Sequence, residues 1–146
     1  APDFSLPTLS GGSTLQLSDF RGRLVLLTFW ATWCAPCREE MPDMQALWQR
    51  YKEQGFSLLA VNIEMDNQKQ VKKFVNRYAL TFPILLDPKA TVRKRYEIEG
   101  LPTSYLIDRR GRFLGKIVGN QPWESEAAQQ MIASLLKGPS DPSSTP

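Results

Sequence analysis

The chain has 146 residues, a formal net charge of +3 and 42% hydrophobic residues, as expected for one globular domain with a single core. Positive and negative side chains are interspersed, which argues against a nucleic-acid-binding protein. No apolar stretch approaches the roughly 20 residues of a bilayer-spanning helix. Because residue 1 is Ala rather than Met, we expect an export signal or membrane anchor to precede this sequence in the full-length protein.

The first part of the chain contains a predicted hairpin, strand and helix. Alternating apolar residues on both sides of Ser10-Gly11-Gly12-Ser13 predict a short β-hairpin over residues 4–20. The run from Leu24 to Trp30 is apolar almost throughout, which is typical of a central strand covered on both faces. A helix is predicted from about Pro36 to Gly55, because apolar residues recur there at intervals of three and four.

Strands and helices continue to alternate after Gly55. We predict a strand over 56–63, a helix with the apolar stripe Val71, Phe74, Val75 and Tyr78 capped by Asp66 or Asn67, a strand over 82–86 and a helix over 89–96. Strands at 103–108 and 113–118 then form a hairpin, and a last helix covers 123–137. Residues 138–146 are rich in Pro and Ser, so we expect the domain to end at residue 137 and a disordered tail to follow.

This order of elements predicts an α/β fold. Strands that alternate with helices and then close in a hairpin form a mixed β-sheet flanked by helices, whose parallel part consists of βαβ units. In such a sheet, reactive groups collect beyond the carboxyl ends of the parallel strands. Cys34 follows one of these ends and Glu64 follows the next, so we expect both residues at the same edge of the sheet.

The only two cysteines lie in Trp33-Cys34-Ala35-Pro36-Cys37, where the predicted central strand leads into a helix. Two thiols separated by two residues on a first helical turn can close a small disulfide ring, and the helix N-terminus stabilises the thiolate of the first. Cys34 is therefore the candidate nucleophile. Cys37 is expected to be more buried and to attack a mixed disulfide on Cys34. The pattern predicts thiol-disulfide exchange.

Other uses of a cysteine pair fit this sequence less well. A closed zinc site needs four Cys or His ligands, and the chain has two Cys and no His. Covalent c-type haem needs His directly after the second Cys, and that residue is Arg38. A purely structural disulfide would close too small a loop to stabilise the fold much. A Cu(I) carrier is an alternative, since two thiolates can hold a soft monovalent ion. No other cofactor or metal is expected.

Several segments resemble the thioredoxin superfamily: Phe29-Trp30-Ala31-Thr32-Trp33-Cys34-Ala35-Pro36-Cys37, Pro42 and Gly100-Leu101-Pro102-Thr103. Further segments are similar to the branch of that superfamily that includes TlpA, ResA and CcmG: Phe4-Ser5-Leu6-Pro7, Leu17-Ser18-Asp19-Phe20-Arg21-Gly22, Val61-Asn62-Ile63, Phe82-Pro83-Ile84 and Leu106-Ile107-Asp108. The resemblance covers roughly residues 2–137. It implies a thioredoxin-like mixed sheet flanked by helices, with an N-terminal β-hairpin and an inserted helix-strand segment.

The resemblance also implies a function. Proteins of this branch are extracytoplasmic, often tethered by an N-terminal helix, and they reduce disulfides in other proteins. Apocytochrome c thiols awaiting haem are a common target, and electrons usually arrive from a membrane thiol transporter such as CcdA or DsbD. We therefore expect a periplasmic or otherwise extracytoplasmic, monomeric thiol-disulfide oxidoreductase, for which cytochrome c maturation is one of several uses.

Carried over residue by residue, the resemblance makes Cys34 the attacking thiol, Cys37 the resolving thiol and Pro102 the proline whose preceding peptide bond is cis. The backbone of Leu101 would then lie beside Cys34, with its N–H and C=O free to hold the extended chain of a partner. Trp33 would add contact area for that partner. The alternative is that Pro102 only begins a strand.

Many thioredoxins carry a buried Asp six residues before the first Cys, where it exchanges a proton with the second thiol, but this chain has Thr28 there. Glu64 is the candidate replacement, because related proteins carry a Glu in this region, and Asp66 is the second choice. A carboxyl group beside a low-dielectric wall has a raised pKa and can exchange protons near neutral pH. The alternative is that Glu64 faces water or caps the following helix.

Two other enzyme classes stay open at this point. A disulfide oxidant or isomerase is not excluded, because the reduction potential depends on how strongly the thiolate is stabilised, and Arg38 favours the thiolate while Glu39 and Glu40 oppose it. A peroxiredoxin shares the opening segments 2–7 and 17–22. Its peroxidatic Cys follows a Thr by three residues, whereas the residue three before Cys34 is Ala31. Peroxide turnover is therefore not expected.

Overall fold

The structure of the protein, a computed structural model, describes residues 1–64 and 68–137. Within these residues the strands are β1 (Ser5–Pro7), β2 (Thr14–Gln16), β3 (Leu24–Trp30), β4 (Phe56–Asn62), β5 (Ile84–Leu86), β6 (Thr103–Ile107) and β7 (Phe113–Val118). The α-helices are α1 (Ala35–Tyr51), α2 (Gln68–Arg77), α3 (Thr91–Arg95) and α4 (Glu126–Lys137). Asp66, Asn67 and the tail 138–146 lie outside the described residues, so the predictions made for them stay predictions.

Five strands form one mixed sheet in the order β5-β4-β3-β6-β7. β3, β4 and β5 run parallel, β6 is antiparallel to β3, and β7 is antiparallel to β6. With the helices that flank it, this sheet is the thioredoxin-like α/β fold expected from the sequence. α2, β5 and α3 lie in this order between β4 and β6. No helix in the described part of the chain has the length and apolar character needed to cross a membrane.

The central strand β3 positions the site. All seven of its residues are buried, as its apolar sequence predicts for a strand covered on both faces. Its register with β4 pairs Leu24 with Phe56 at one end and Trp30 with Asn62 at the other. The segments that follow Trp30 and Asn62 therefore leave the same edge of the sheet side by side, which confirms the expected placement of Cys34 and Glu64.

The predicted N-terminal hairpin is present. β1 and β2 pair antiparallel around the turn at residues 8–13, and a short 3-10 helix follows over Leu17–Phe20. The hairpin lies against the edge of the main sheet, where Leu9 N donates to the Ile84 carbonyl over 2.9 Å.

Three elements begin later than the sequence predicts. β5 begins at Ile84 rather than at residue 82, α3 begins at Thr91 rather than at residue 89, and α4 begins at Glu126 rather than at residue 123. The start of α4 has a local cause, because the Ser125 hydroxyl accepts a hydrogen bond from Ala128 N and so caps the first turn. Trp123 consequently lies in the preceding loop, where its side chain is buried.

Candidate active site

The cysteine pair lies at the start of α1. Cys34 is the N-cap residue, Pro36 lies in the first turn, and Cys34 and Cys37 are joined by a disulfide with a Cα–Cα distance of 5.2 Å. Cys37 N donates a hydrogen bond to Cys34 Sγ over 3.3 Å. Negative charge at a helix N-terminus is stabilised by the exposed amide groups and the helix dipole. The sulfur of Cys34 therefore lies where a thiolate is favoured.

The two sulfurs differ in access to solvent. Cys34 is 7% exposed and Cys37 is fully buried, which confirms the expectation that the second cysteine is the less accessible. Trp33, directly before the pair, is 66% exposed. Cys34 thus keeps a small exposed surface, whereas Cys37 has none.

A groove of about 390 Å³ opens beside Cys34. Trp33, Pro36, Ile98 and Leu101 are among the residues that line it. The Leu101–Pro102 peptide bond is cis, and Pro102 O accepts a hydrogen bond from Gly119 N over 2.8 Å. The structure thus brings Trp33, Cys34 and Leu101 together around one concave surface, with Pro102 directly behind Leu101.

Glu64 lies at the end of β4, where 9% of it is exposed. Its Oε1 accepts hydrogen bonds from Thr32 N at 2.6 Å and from Asn62 Nδ2 at 2.9 Å, and its Oε2 accepts one from the Thr32 hydroxyl at 2.8 Å. The carboxyl group therefore contacts the loop that carries Cys34. The proton exchange between Glu64 and Cys37 that the sequence analysis predicts stays a prediction.

The position of the usual thioredoxin Asp is filled by a pair of hydroxyl groups. Thr28 is fully buried, and its Oγ1 accepts a hydrogen bond from the Ser104 hydroxyl over 2.9 Å. The register of β3 and β6 places these residues directly opposite each other. This pair of hydroxyl groups is neutral, so any ionisable group that serves Cys37 must come from elsewhere.

Glu40 is a candidate residue that sequence analysis missed. It is fully buried one helical turn after Cys37, on the same face of α1. Oε2 accepts hydrogen bonds from Gln121 N at 2.9 Å and from Trp123 Nε1 at 3.1 Å, whereas Oε1 has no partner among the described residues. Burial raises the pKa of Glu40 to about 7, because the hydrogen bonds from Gln121 and Trp123 offset only part of the lost hydration.

The signal for Glu40 was present in the periodicity of α1. Its buried residues Cys37, Glu40, Met44 and Leu47 recur at intervals of three and four, so Glu40 lies on the buried stripe next to Cys37. A charged residue on an apolar stripe indicates a buried ionisable group. In residues 1–64 and 68–137, no cluster of three or more His, Cys, Asp or Glu side chains could hold a metal ion.

Known proteins share this sequence and fold. Residues 1–113 match the AhpC/TSA family. Thiol-disulfide oxidoreductase ResA of Geobacillus kaustophilus is 45% identical over 124 residues, which are 85% of this chain and 70% of that protein. The thioredoxin-like protein YneN of Bacillus subtilis is 47% identical over 113 residues, which are 76% of this chain and 65% of that protein.

Solved structures agree with these sequence relatives. The crystal structure of a Chlorobium tepidum protein assigned as thiol:disulfide interchange protein DsbE has a TM-score of 0.84 and 40% identity, and the match covers 93% of this chain and 94% of that one. StoA from Bacillus subtilis has a TM-score of 0.75 and 28% identity, with 93% and 97% covered. A disulfide-forming Cys pair at a helix N-terminus, on a fold shared with these proteins, is a redox centre for exchange with other thiols. The chain therefore belongs to the AhpC/TSA family of thioredoxin-fold proteins and is a protein thiol-disulfide oxidoreductase similar to ResA.

Proposed function

We propose that this protein reduces disulfide bonds of partner proteins in the periplasm or another extracytoplasmic compartment. The observation that carries the proposal is the contrast between Cys34, which keeps a small exposed surface and borders a groove at a helix N-terminus, and Cys37, which is fully buried. That arrangement separates an attacking thiol from a resolving one. The names of the relatives, oxidoreductase and interchange protein, support a protein disulfide as the substrate.

The proposed exchange has two steps. The Cys34 thiolate attacks one sulfur of the partner's disulfide, a mixed disulfide forms, and the other partner sulfur leaves as a thiolate that takes up a proton. The Cys37 thiolate then attacks Cys34 Sγ, which closes the Cys34–Cys37 disulfide and releases the second partner thiolate. Two electrons pass to the partner. A membrane thiol transporter of the CcdA or DsbD type would return two electrons to the pair, and apocytochrome c is one candidate partner.

The groove beside Cys34 is the proposed binding surface for the partner. Trp33 offers a large exposed ring, Leu101 also lines the groove, and Pro102 follows Leu101 in the chain. A partner segment in extended conformation could add to the backbone of Leu101 as a short strand while an apolar side chain packs on Trp33.

Proton exchange at Cys37 is assigned to Glu40 in this proposal. Glu40 lies one turn from Cys37, it has an oxygen without a hydrogen-bond partner among the described residues, and its pKa of about 7 suits proton exchange at neutral pH. The prediction from sequence that Glu64 has this role stays a prediction.

A Cys37→Ser variant tests the exchange. Its Cys34 thiolate can attack a partner disulfide but cannot be displaced by residue 37, so we expect a stable mixed disulfide that dithiothreitol releases. Partners are identified by mass spectrometry after expression of the variant in an extracytoplasmic compartment. The matched Cys34→Ser variant should capture none of them. Equal capture by both variants, or none by either, would contradict the proposed order of attack.

The reduction potential tests the direction. A reductant should have a potential nearer to about −270 mV, as in thioredoxin, than to about −120 mV, as in an oxidising DsbA. The measurement is equilibration of the pair with glutathione or dithiothreitol, followed by thiol alkylation. A value near the oxidising end would support the oxidant alternative, and failure to reduce insulin together with tight Cu(I) binding would support a metal carrier.

A further inference from the structure

Thr32 lies in the loop between β3 and α1, two residues before Cys34, and each of its polar groups is hydrogen-bonded. Its N–H donates to Glu64 Oε1 at 2.6 Å, and its hydroxyl donates to Glu64 Oε2 at 2.8 Å. Its carbonyl accepts a hydrogen bond from Arg38 Nη1 at 2.9 Å. Glu64 and Arg38 therefore hold the loop from two sides.

Glu64 is in turn held by the sheet. Asn62 Nδ2 donates to Glu64 Oε1, and Glu64 N donates to Asn62 Oδ1, both over 2.9 Å. Asn62 is fully buried at the end of β4, and Ile63 N continues the strand pairing by donating to the Trp30 carbonyl at 3.1 Å. The Glu64 carboxylate is thus fixed to a rigid element and not to a mobile surface.

The Cys34 sulfur depends on the same loop. Cys34 N donates to the Ala31 carbonyl at 3.2 Å, so Thr32 lies inside the turn that ends at Cys34. The contact between Cys37 N and Cys34 Sγ, at 3.3 Å, requires this turn to keep its shape. A loop released from Glu64 would lose orientation, and the thiolate would lose part of its stabilisation by the helix N-terminus.

We propose that Glu64 is a positioning residue, which holds Thr32 and thereby keeps Cys34 reactive at the N-terminus of α1. The inference rests on the proposed function only in taking Cys34 as the attacking thiol. It differs from a proton-carrier role in one testable respect. Gln at position 64 cannot ionise, but its carbonyl can accept from Thr32 N and Asn62, and its NH2 can donate to the Thr32 hydroxyl, which can also act as an acceptor.

The experiment measures how fast iodoacetamide alkylates Cys34 as a function of pH, with Cys37→Ser as the common background so that one thiol reacts. Glu64→Ala should raise the apparent pKa of Cys34 and slow alkylation at pH 7 by about tenfold, because the loop loses its hydrogen bonds to a charged group. Glu64→Gln should restore the rate to within about twofold of the parent. Alkylation needs no partner protein, so this result is independent of whether the capture experiment succeeds.

Two further variants provide controls. Thr32→Val removes one of the two hydrogen bonds to Glu64, and the effects of Thr32→Val and Glu64→Ala should not add, because both act on one contact. Asp108→Ala removes a carboxylate that accepts hydrogen bonds from Arg110 N and Arg112 N at the other end of β6, and it should leave the alkylation rate unchanged.

Three outcomes would overturn the inference. If Cys34 is alkylated as slowly in Glu64→Gln as in Glu64→Ala, the ionisable group itself is needed, as the prediction from sequence states. An unchanged rate in Glu64→Ala, or additive effects with Thr32→Val, would show that the contact does not act on Cys34. Near-ultraviolet circular dichroism checks folding, and if Glu64→Ala does not fold, Thr32→Val alone must slow alkylation for the inference to stand.

Discussion

The surroundings of Glu40 raise the pKa of its carboxyl group. Two glutamates follow Cys37 and Arg38 in the sequence, yet Glu40 is buried and its neighbour Glu39 is exposed. Glu39 Oε2 accepts a hydrogen bond from Asn120 at the surface, whereas Glu40 bonds the buried Trp123 ring nitrogen. Their position on the helix, one residue apart, decides which carboxyl loses its water.

The raised pKa of Glu40 predicts how stability depends on pH. Below pH 4.5, its ordinary pKa, Glu40 is protonated in both the folded and the unfolded protein, so its burial has no ionisation cost. As the pH rises from 4.5 to about 7, the unfolded chain loses this proton first, so the folded state is progressively destabilised. Each pH unit corresponds to about 1.4 kcal/mol, which gives a loss of about 3 kcal/mol above pH 7.

Glu40→Gln should remove this loss. We expect the free energy of unfolding of the variant, relative to the parent, to increase by about 3 kcal/mol between pH 4.5 and pH 8. Urea unfolding of the oxidised proteins at several pH values measures the difference, and Glu39→Gln is the matched exposed control. A difference between Glu40→Gln and the parent that stays constant with pH would contradict the raised pKa.

At the scale of elements, α3 depends on a buried cap. Asp87 is 1% exposed, and its carboxylate accepts hydrogen bonds from Val92 N at 3.3 Å and Arg93 N at 2.8 Å. Ala90, just before the helix, has a φ of 58°, in the left-handed region that favours glycine. The short helix therefore begins where the Asp87 side chain supplies acceptors, not where the predicted span of 89–96 begins.

Asp87→Ala should lower the free energy of unfolding by about 1–2 kcal/mol, because two amide groups at the start of α3 lose their acceptor. Asp87→Asn keeps one acceptor oxygen and should lose less. Urea unfolding at pH 7 measures both. Equal losses in the two variants would mean that the negative charge, rather than the hydrogen bonds, accounts for the stabilisation.

The whole molecule is organised around one core on the central sheet. Leu26, Leu27 and Phe29 of β3 are fully buried, and the aromatic rings of Phe29, Tyr96 and Tyr105 pack with centroids 5.5–6.4 Å apart. This aromatic contact joins β3, the residue after α3, and β6. A change in the centre of the core should therefore affect the entire domain.

Leu27→Ala should lower the free energy of unfolding by about 2–5 kcal/mol, since it leaves a cavity in the central strand. Leu114→Ala changes the same residue type on β7, an edge strand where Leu114 is 49% exposed, and should change stability by less than about 0.5 kcal/mol. Far-ultraviolet circular dichroism and tryptophan fluorescence should give the same midpoint for each variant. Separate midpoints would show that the sheet does not unfold as one unit.

The sequence by itself determined the order of the elements and the chemistry of the site. β3 has the predicted bounds, because a continuous apolar run identifies a buried strand. The Cys34–Cys37 pair lies at the predicted strand-to-helix junction, because its position and spacing can be read directly from neighbouring residues. The rule that reactive groups collect beyond the carboxyl ends of parallel strands also placed Glu64 near the cysteine loop. Local patterns suffice wherever the interacting groups are close in the chain.

Only the tertiary structure decided the roles available to the carboxyl groups. Glu40 meets Trp123, which is 83 residues away, and Glu64 meets Thr32, which is 32 residues away. The pKa of an acid depends on how much water it loses and which donors face it, and both are set by residues brought together through folding. The helix pattern shows that Glu40 lies on the buried stripe. Its hydrogen-bond donors come from the loop before α4, and only the tertiary structure places that loop against α1.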